Sequence, residues 1–327
     1  MNPFRYERAR DAESAVALLA QEPNGVFLAG GTNLVDHLRL GVSQPDLLID
    51  ITHLPYDRIE LLPDGGVRIG ALVRNSDLAN HPRVVQGYPA LSQALLAGAS
   101  PQLRNMATTA GNLLQRTRCY YFYDTAFPCN KRIPGSGCSA IGGENRIHAV
   151  LGQSNACIAT HPSDMAVAMA ALGAIVQVQG SAQARAIPLS EFHRLPGDTP
   201  QIDTTLQPDE LIVAVDLPPD RAASHSRYLK VRDRASYAFA LVSVAAALLT
   251  ENGQVTDARM ALGGVAHRPW RPLEAERWLR GKPANSGSFR NAADLALHGA
   301  GGSKSNAFKI ELAKRSIVRV LTELAET

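Results

Sequence analysis

Four sulfur atoms constrain this chain more than any other feature of it. Every cysteine it has, Cys119, Cys129, Cys138 and Cys157, falls inside residues 119–157 of a 327-residue sequence. Cysteine used as a generic small hydrophobe would be scattered, so the fold must bring four thiols to one place. Nine, eight and eighteen residues separate them. Paired disulfides suit small secreted domains that lack a core. Structural zinc also takes four thiolates, but usually with one tight C-x2-4-C pair. An iron–sulfur cluster is bulkier, is commonly held by four thiolates, and suits wide spacing through an irregular loop. Spacing alone therefore ranks cluster over zinc over disulfides. Arg116, Arg118, Lys131 and Arg132 lie in the same stretch and could offset the negative charge of a thiolate-ligated cluster. For any one of them taken singly, a solvated surface loop is the commoner explanation.

The rest of the chain is long enough for two or three domains with cores of their own. Hydrophobic residues make up 45% and mean hydropathy is −0.09, as in a soluble globular protein. A net charge of +3, spread evenly, argues against nucleic acid as a partner. Charged residues are only 19%, a hint that part of the surface is covered by other chains. No apolar run reaches the length of a membrane span. The opening MNPFRYERARDAESA has no apolar core of an export signal, so none is expected.

Taken in order, residues 1–55 predict helix, strand, helix, strand. Asp11 can cap a helix whose apolar face is Ala15, Val16, Leu18 and Leu19. The strand Val26-Phe27-Leu28-Ala29 runs into Gly30-Gly31-Thr32-Asn33, then a helix Leu34–Leu40 and a strand Leu47–Ile51 follow. Two glycines at a strand–helix junction let the backbone turn sharply, and successive N–H groups there form an anion nest suited to phosphate. Plain connectivity explains most such turns, and this one is not the G-x-G-x-x-G pattern. Residues 59–70 predict a hairpin around Asp64-Gly65-Gly66, with helices near 75–81 and 91–98. Thr108-Thr109-Ala110-Gly111-Asn112 is a second small-residue turn, either a helix cap or a second clamp on the same ligand. Pro162, in the first turn of an alanine-rich helix running to Ala174, and Asp164 suit a helix start; Asp164 can alternatively bond a ligand hydroxyl. His161 is read as structural. Strands 175–179 and 211–217 follow, then a linker at Pro218-Pro219-Asp220. A second α+β unit over about 224–327 holds Tyr228–Val231, an apolar stretch at 238–249, Met260–Val265 and a flexible Gly299–Ser303 loop. It ends in an amphipathic helix with Ile310, Ala313, Ile317, Val320, Leu321 and Leu324 on one side.

These segments in this order resemble the FAD-binding subunits of molybdenum hydroxylases, the xanthine dehydrogenase and carbon monoxide dehydrogenase group. The matching residues are LAGGTNL at 28–34, IGALVRNSDL at 69–78, ATTAGNL at 107–113, PSDMAVAMAALGA at 162–174, ELIVAVDLP at 210–218 and YLKVRDRASYAFALVSVAAAL at 228–248. Most members lack the cysteine loop. The version here resembles the flavin subunit of bacterial periplasmic aldehyde oxidoreductases, which pair FAD with a [4Fe-4S] cluster. The 4-hydroxybenzoyl-CoA reductase flavin subunit spaces its cysteines differently and stands second.

The resemblance implies an α+β protein. Its FAD-binding domain, over 1–220, would be of the vanillyl-alcohol-oxidase type, with α/β subdomains of about 1–55 and 56–220 and the cluster loop at 115–160. A small flavoprotein C-terminal domain would occupy 224–327. It implies that Val26 to Leu34 cradle the FAD pyrophosphate and that Thr108 to Asn112 clamp its other side. Asp164 would bond the FAD, Ile212 would pack on it, and Lys230 would sit beside the isoalloxazine, favouring an anionic reduced ring. Without the family, Lys230 reads as an ion pair with Asp233. Cys119, Cys129, Cys138 and Cys157 would ligate the cluster. The function implied is an electron-transfer subunit of a heterotrimer. A large molybdenum-cofactor partner oxidises the substrate, a small [2Fe-2S] partner relays electrons to FAD here, and an external acceptor takes them. The cluster either lies on that route or pins a loop, and the aromatic run Tyr120–Tyr123, read as packing around it, favours the second. A periplasmic location would need a twin-arginine signal on a partner; otherwise the complex is cytoplasmic. A zinc-stabilised assembly module is the reading from another class. A self-contained flavin oxidase would need a catalytic base, and no residue stands out as one.

Overall fold

A computed structural model describes residues 1–326. Strands Arg5–Arg8 (β1), Gly25–Leu28 (β2) and Leu47–Asp50 (β3) form a parallel sheet in the order β1-β3-β2. The order expected over 1–55 omits β1, because all four of its residues are exposed and carry no apolar alternation. Pairing with β3, not burial, makes it a strand. The helix Ala12–Gln21 begins as expected: Asp11 accepts from the Ser14 N–H and Ser14 returns a bond to the cap, a capping box stabilising by about 1 kcal/mol. Helix Leu34–Leu40 follows the glycine turn.

Strands Ile59–Leu61 (β4), Val67–Gly70 (β5), Ile175–Gln179 (β6), Ala184–Pro188 (β7) and Leu211–Leu217 (β8) make an antiparallel sheet ordered β4-β5-β8-β6-β7. The edge strand β7 escapes sequence reading because Ile187 is its one buried side chain, and antiparallel pairing with β6 makes it a strand. Strands Ser226–Val231 (β9), Val242–Glu251 (β10) and Gln254–Gly263 (β11) form the third sheet, ordered β11-β10-β9.

The helix Asp164–Ala171 ties the second and third sheets together. All eight of its residues are buried, and it packs on helix Pro89–Ala97 and on β10 and β11. Its alanines allow that close approach. At the contact, a Cβ on Gly263 would come within 2.6 Å of Val167. Ser163 caps this helix through the Ala166 N–H, so Pro162 precedes the cap and does not lie in the first turn.

The final helix, Phe308–Ala325, lays its expected apolar face on β10 and β9. Two segments expected to be loose are tied. Gly301 N–H donates to Val150 O at 2.8 Å and Ser303 bonds Asn145, in the stretch between Cys138 and Cys157. Pro218 O accepts from Tyr88 at 3.0 Å, and Asp220 pairs with Arg259.

Candidate functional site

The two small-residue turns meet. A Cβ built on Gly30 would lie 2.0 Å from Met106 O and 3.1 Å from Ala107 Cα, so the turn after β2 touches the segment leading into Thr108. Gly31 has φ +71°, the left-handed conformation in which glycine is unstrained. Among the described residues, none of the backbone N–H groups of Gly31, Thr32 and Asn33 has a partner. Thr108 accepts from the Gly111 N–H and caps the helix Thr109–Leu113. The cap reading of that turn therefore holds, and it leaves the turn free to wall a ligand site as well.

Beside this junction lies a cavity of ≈ 340 Å³, within the usual range for small-molecule sites. Thr32, Asn33, Gly111, Asn112, Asp164 and Lys230 line it. A second hollow of ≈ 340 Å³ shares the wall at Arg118, Pro162, Asp164, Ala238 and Phe239, so the space is elongated. Asp164 Oδ2 takes the Lys230 ammonium at 2.8 Å and Oδ1 accepts from Tyr228 Oη at 2.5 Å. Both partners of the ion pair are buried, and Lys230 also donates to Ala97 O at 3.1 Å. Burial raises the Tyr228 phenol well above its ordinary range, so it stays a donor. The alternative Lys230–Asp233 pair does not form; Asp233 binds Arg146 at 2.7 Å.

The other expected residues stand behind this wall. Phe27 and Ala29 pack on the core beside β3, Thr109 donates to Val73 O at 3.1 Å, and Ala110 and Ile212 are buried in the core shared by the two larger sheets. Val26, Leu28, Leu34 and Ile212 are not among the lining side chains. Sequence reading missed Asn75, a lining residue whose Oδ1 is buried without a partner, and Arg118, Tyr237 and Phe239, which close the cavity. Asn75 lies inside the IGALVRNSDL segment, but nothing local marks it as facing a ligand. An elongated cavity with free N–H groups at a glycine turn and an unpaired buried amide fits a dinucleotide.

The four cysteines converge next door. Cys119 opens the single turn Tyr120–Tyr123, Cys129 and Cys138 face each other across an isolated antiparallel bridge, and all four line one small pocket of ≈ 10 Å³. None is paired in a disulfide. Among the described residues, no group of three or more His, Cys, Asp or Glu side chains is placed to hold a metal ion. Burial pushes the Cys119 thiol up to about 12 and the Cys157 thiol up to about 11.

The basic residues here are held by neighbours, Lys131 buried and Arg116, Arg118 and Arg132 half-buried. Lys131 is 2% exposed, lines the sulfur pocket, and binds Asp203 and Pro200 O. Arg116 pairs with Asp203 at 2.8 Å and stacks on Phe122. Arg118 stacks on Phe239, and Arg132 donates to the Tyr121 and Phe122 carbonyls at 2.8 Å. The aromatic run divides: Phe122 is fully buried against the cysteines, Tyr123 faces the cavity, and Tyr120 is 54% exposed. His161 Nε2 lies 3.3 Å from Leu113 O, its ring packs against His193, and the residue lines the second hollow.

Residues 2–220 match the family model described as the FAD-binding domain in molybdopterin dehydrogenase, and residues 227–324 match the CO dehydrogenase flavoprotein C-terminal domain. The chain is 53% identical to the aldehyde oxidoreductase FAD-binding subunit PaoB of Escherichia coli K12, over 99% of this chain and 98% of that one. It is 27% identical to the glyceraldehyde dehydrogenase medium chain of Sulfolobus acidocaldarius, over 89% and 85%. Among solved structures, carbon monoxide dehydrogenase from Hydrogenophaga pseudoflava superposes with a TM-score of 0.76 at 25% identity, covering 98% and 97% of the two chains.

Proposed function

Because the chain belongs to the FAD-binding medium subunits of molybdenum hydroxylases, we propose that it is the flavin- and [4Fe-4S]-carrying electron-transfer subunit of an aldehyde-oxidising complex. Its partners in that reading are a large molybdenum-cofactor subunit and a small [2Fe-2S] subunit. When bound, the flavin takes electrons from the partner centres and passes them to an external acceptor, and the cluster exchanges one electron at a time. The protein's own work is binding, orientation and charge.

The N–H groups of Gly31 to Asn33 hold the pyrophosphate, and Thr108 to Asn112 close the opposite side. Asn75 offers an acceptor to a flavin N–H or hydroxyl. Asp164, which lines the cavity, has both oxygens fixed by Lys230 and Tyr228 and so can offer a held acceptor to the flavin. The Lys230 ammonium beside them favours negative charge on a reduced ring. Cys119, Cys129, Cys138 and Cys157 would hold the cluster, with Lys131 lining the same pocket. One observation carries the reading: Arg118 lines the cavity while its chain neighbour Cys119 lines the sulfur pocket. The aldehyde class is supported by the relative that is 53% identical.

The purified complex is expected to show flavin absorbance and about four irons with acid-labile sulfide in this chain. One zinc per chain would mark an assembly module instead, and absence of flavin would end the electron-transfer reading. Cys129→Ser is expected to lose most of that iron and to lower the thermal stability of the loop. A variant with full iron content and unchanged melting would remove Cys129 from the ligand set.

A further inference from the structure

The ring of His148 touches a cysteine of the sulfur pocket from outside the ligand set. His148 Nε2 lies 3.1 Å from Cys119 Sγ, and the residue is 1% exposed. Its other ring nitrogen, Nδ1, is buried with no partner. The backbone around it is held hard. His148 N–H donates to Asn145 O at 3.0 Å, and its carbonyl accepts from Lys309 Nζ at 2.8 Å and Asn306 Nδ2 at 3.3 Å. Lys309 and Asn306 stand at the start of the C-terminal helix, so that helix sets where the ring points.

Resting on the cluster reading above, we propose that His148 is a positioning and tuning residue that donates an Nε2–H···S hydrogen bond to the Cys119 thiolate and raises the reduction potential of the [4Fe-4S] cluster. A ligating thiolate can only accept, so Nε2 must carry the proton. Nδ1 then keeps only a lone pair, and the opposite tautomer would bury an N–H with no acceptor, the rarer kind of defect. Donation to a ligand sulfur withdraws negative charge, and the reduced cluster carries one more negative charge than the oxidised one. The bond therefore stabilises the reduced form more. Hydrogen bonds to cluster sulfurs are among the levers that set such potentials. The couple is one electron with no proton moved, since Nε2 keeps its hydrogen in both states.

The test is an EPR-monitored redox titration of the purified complex carrying His148→Leu, His148→Met or His148→Gln, with iron and sulfide measured on each. In Leu or Met variants that retain four irons, the reduction equilibrium is expected to fall about tenfold, about 59 mV for one electron. Gln, whose amide N–H reaches the same point, recovers most of that shift. Equal potentials across iron-replete variants overturn the inference. So does a series in which no variant retains iron, because a donor that only tunes is not needed to hold the cluster. Wild-type complex free of iron removes the cluster reading and this inference with it, which separates the two failures.

Discussion

Gly30→Ala is expected to weaken flavin binding. The added methyl would lie 2.0 Å from Met106 O and 2.8 Å from Met106 C, closer than carbon and oxygen can approach. Both atoms are backbone, in a segment fixed by Asn75 N–H to Ala107 O at 2.9 Å and Thr109 N–H to Val73 O at 3.0 Å. Nothing there can swing aside as a flexible side chain would. The two turns must separate by more than an ångström, which moves the N–H groups of Gly31 to Asn33 away from any phosphate they hold. Overpacking of this kind costs about 1–3 kcal/mol, so flavin affinity should fall by a factor of roughly ten to a hundred. Gly87→Ala is the control, since a Cβ there meets nothing within 4 Å. Flavin per chain after purification, and titration of the stripped protein with FAD, read the result. Wild-type flavin content in Gly30→Ala would mean that the junction is connectivity alone.

The second large effect is expected from a residue that lines neither the cavity nor the sulfur pocket. Asp203 sits between Lys131, whose side chain is 1% exposed, and Arg116, with His267 Nε2 at 3.7 Å. Burial alone would raise its carboxyl, yet Lys131 and Arg116 hold it well below the ordinary range. Asp203→Asn leaves the Lys131 ammonium buried against a neutral amide. Breaking one side of such a pair costs about 3–5 kcal/mol, and the penalty falls on the segment that carries Cys129. Replacing both partners, as Lys131→Met with Asp203→Asn, should restore much of the loss.

The pH dependence has a definite sign. A depressed folded-state pKa contributes stability that is complete above the unfolded carboxyl's value, about 3.9, and is lost as pH falls below it. The gap between wild type and Asp203→Asn should therefore be constant near neutrality and narrow below about pH 4. Thermal melts across that range measure it; an Asn variant that melts with wild type at pH 7 would show that Lys131 finds its compensation elsewhere.

Particular residues show how far local pattern carries. The helix Leu34–Leu40, the hairpin over 59–70 and the apolar face of the last helix were legible because periodicity and turn chemistry act within a few residues. Strand β1 was not, since exposed residues with no alternation become a strand only by pairing with a distant partner, and β7, with Ile187 alone buried, shows only as the second arm of a short hairpin with β6. Lys230 is the sharper case. Spacing offered Asp233 three residues away, but strand β9 aims the ammonium inward, and the helix start at Asp164 meets it there.

By itself, then, the order of residues determined the class of fold, the two glycine turns and the concentration of sulfur in one loop. The turns and the sulfur are matters of spacing and short-range backbone preference, and the class of fold follows from the resemblance carried by six segments in order. Tertiary structure alone decided that the turns touch, that Asn75 lines the cavity, that Lys131 is sealed between Asp203 and the sulfurs, and that His148 reaches Cys119. Each of those contacts joins chain segments far apart in sequence, and its energy comes from burial and charge pairing that exist only once the chain has closed around them.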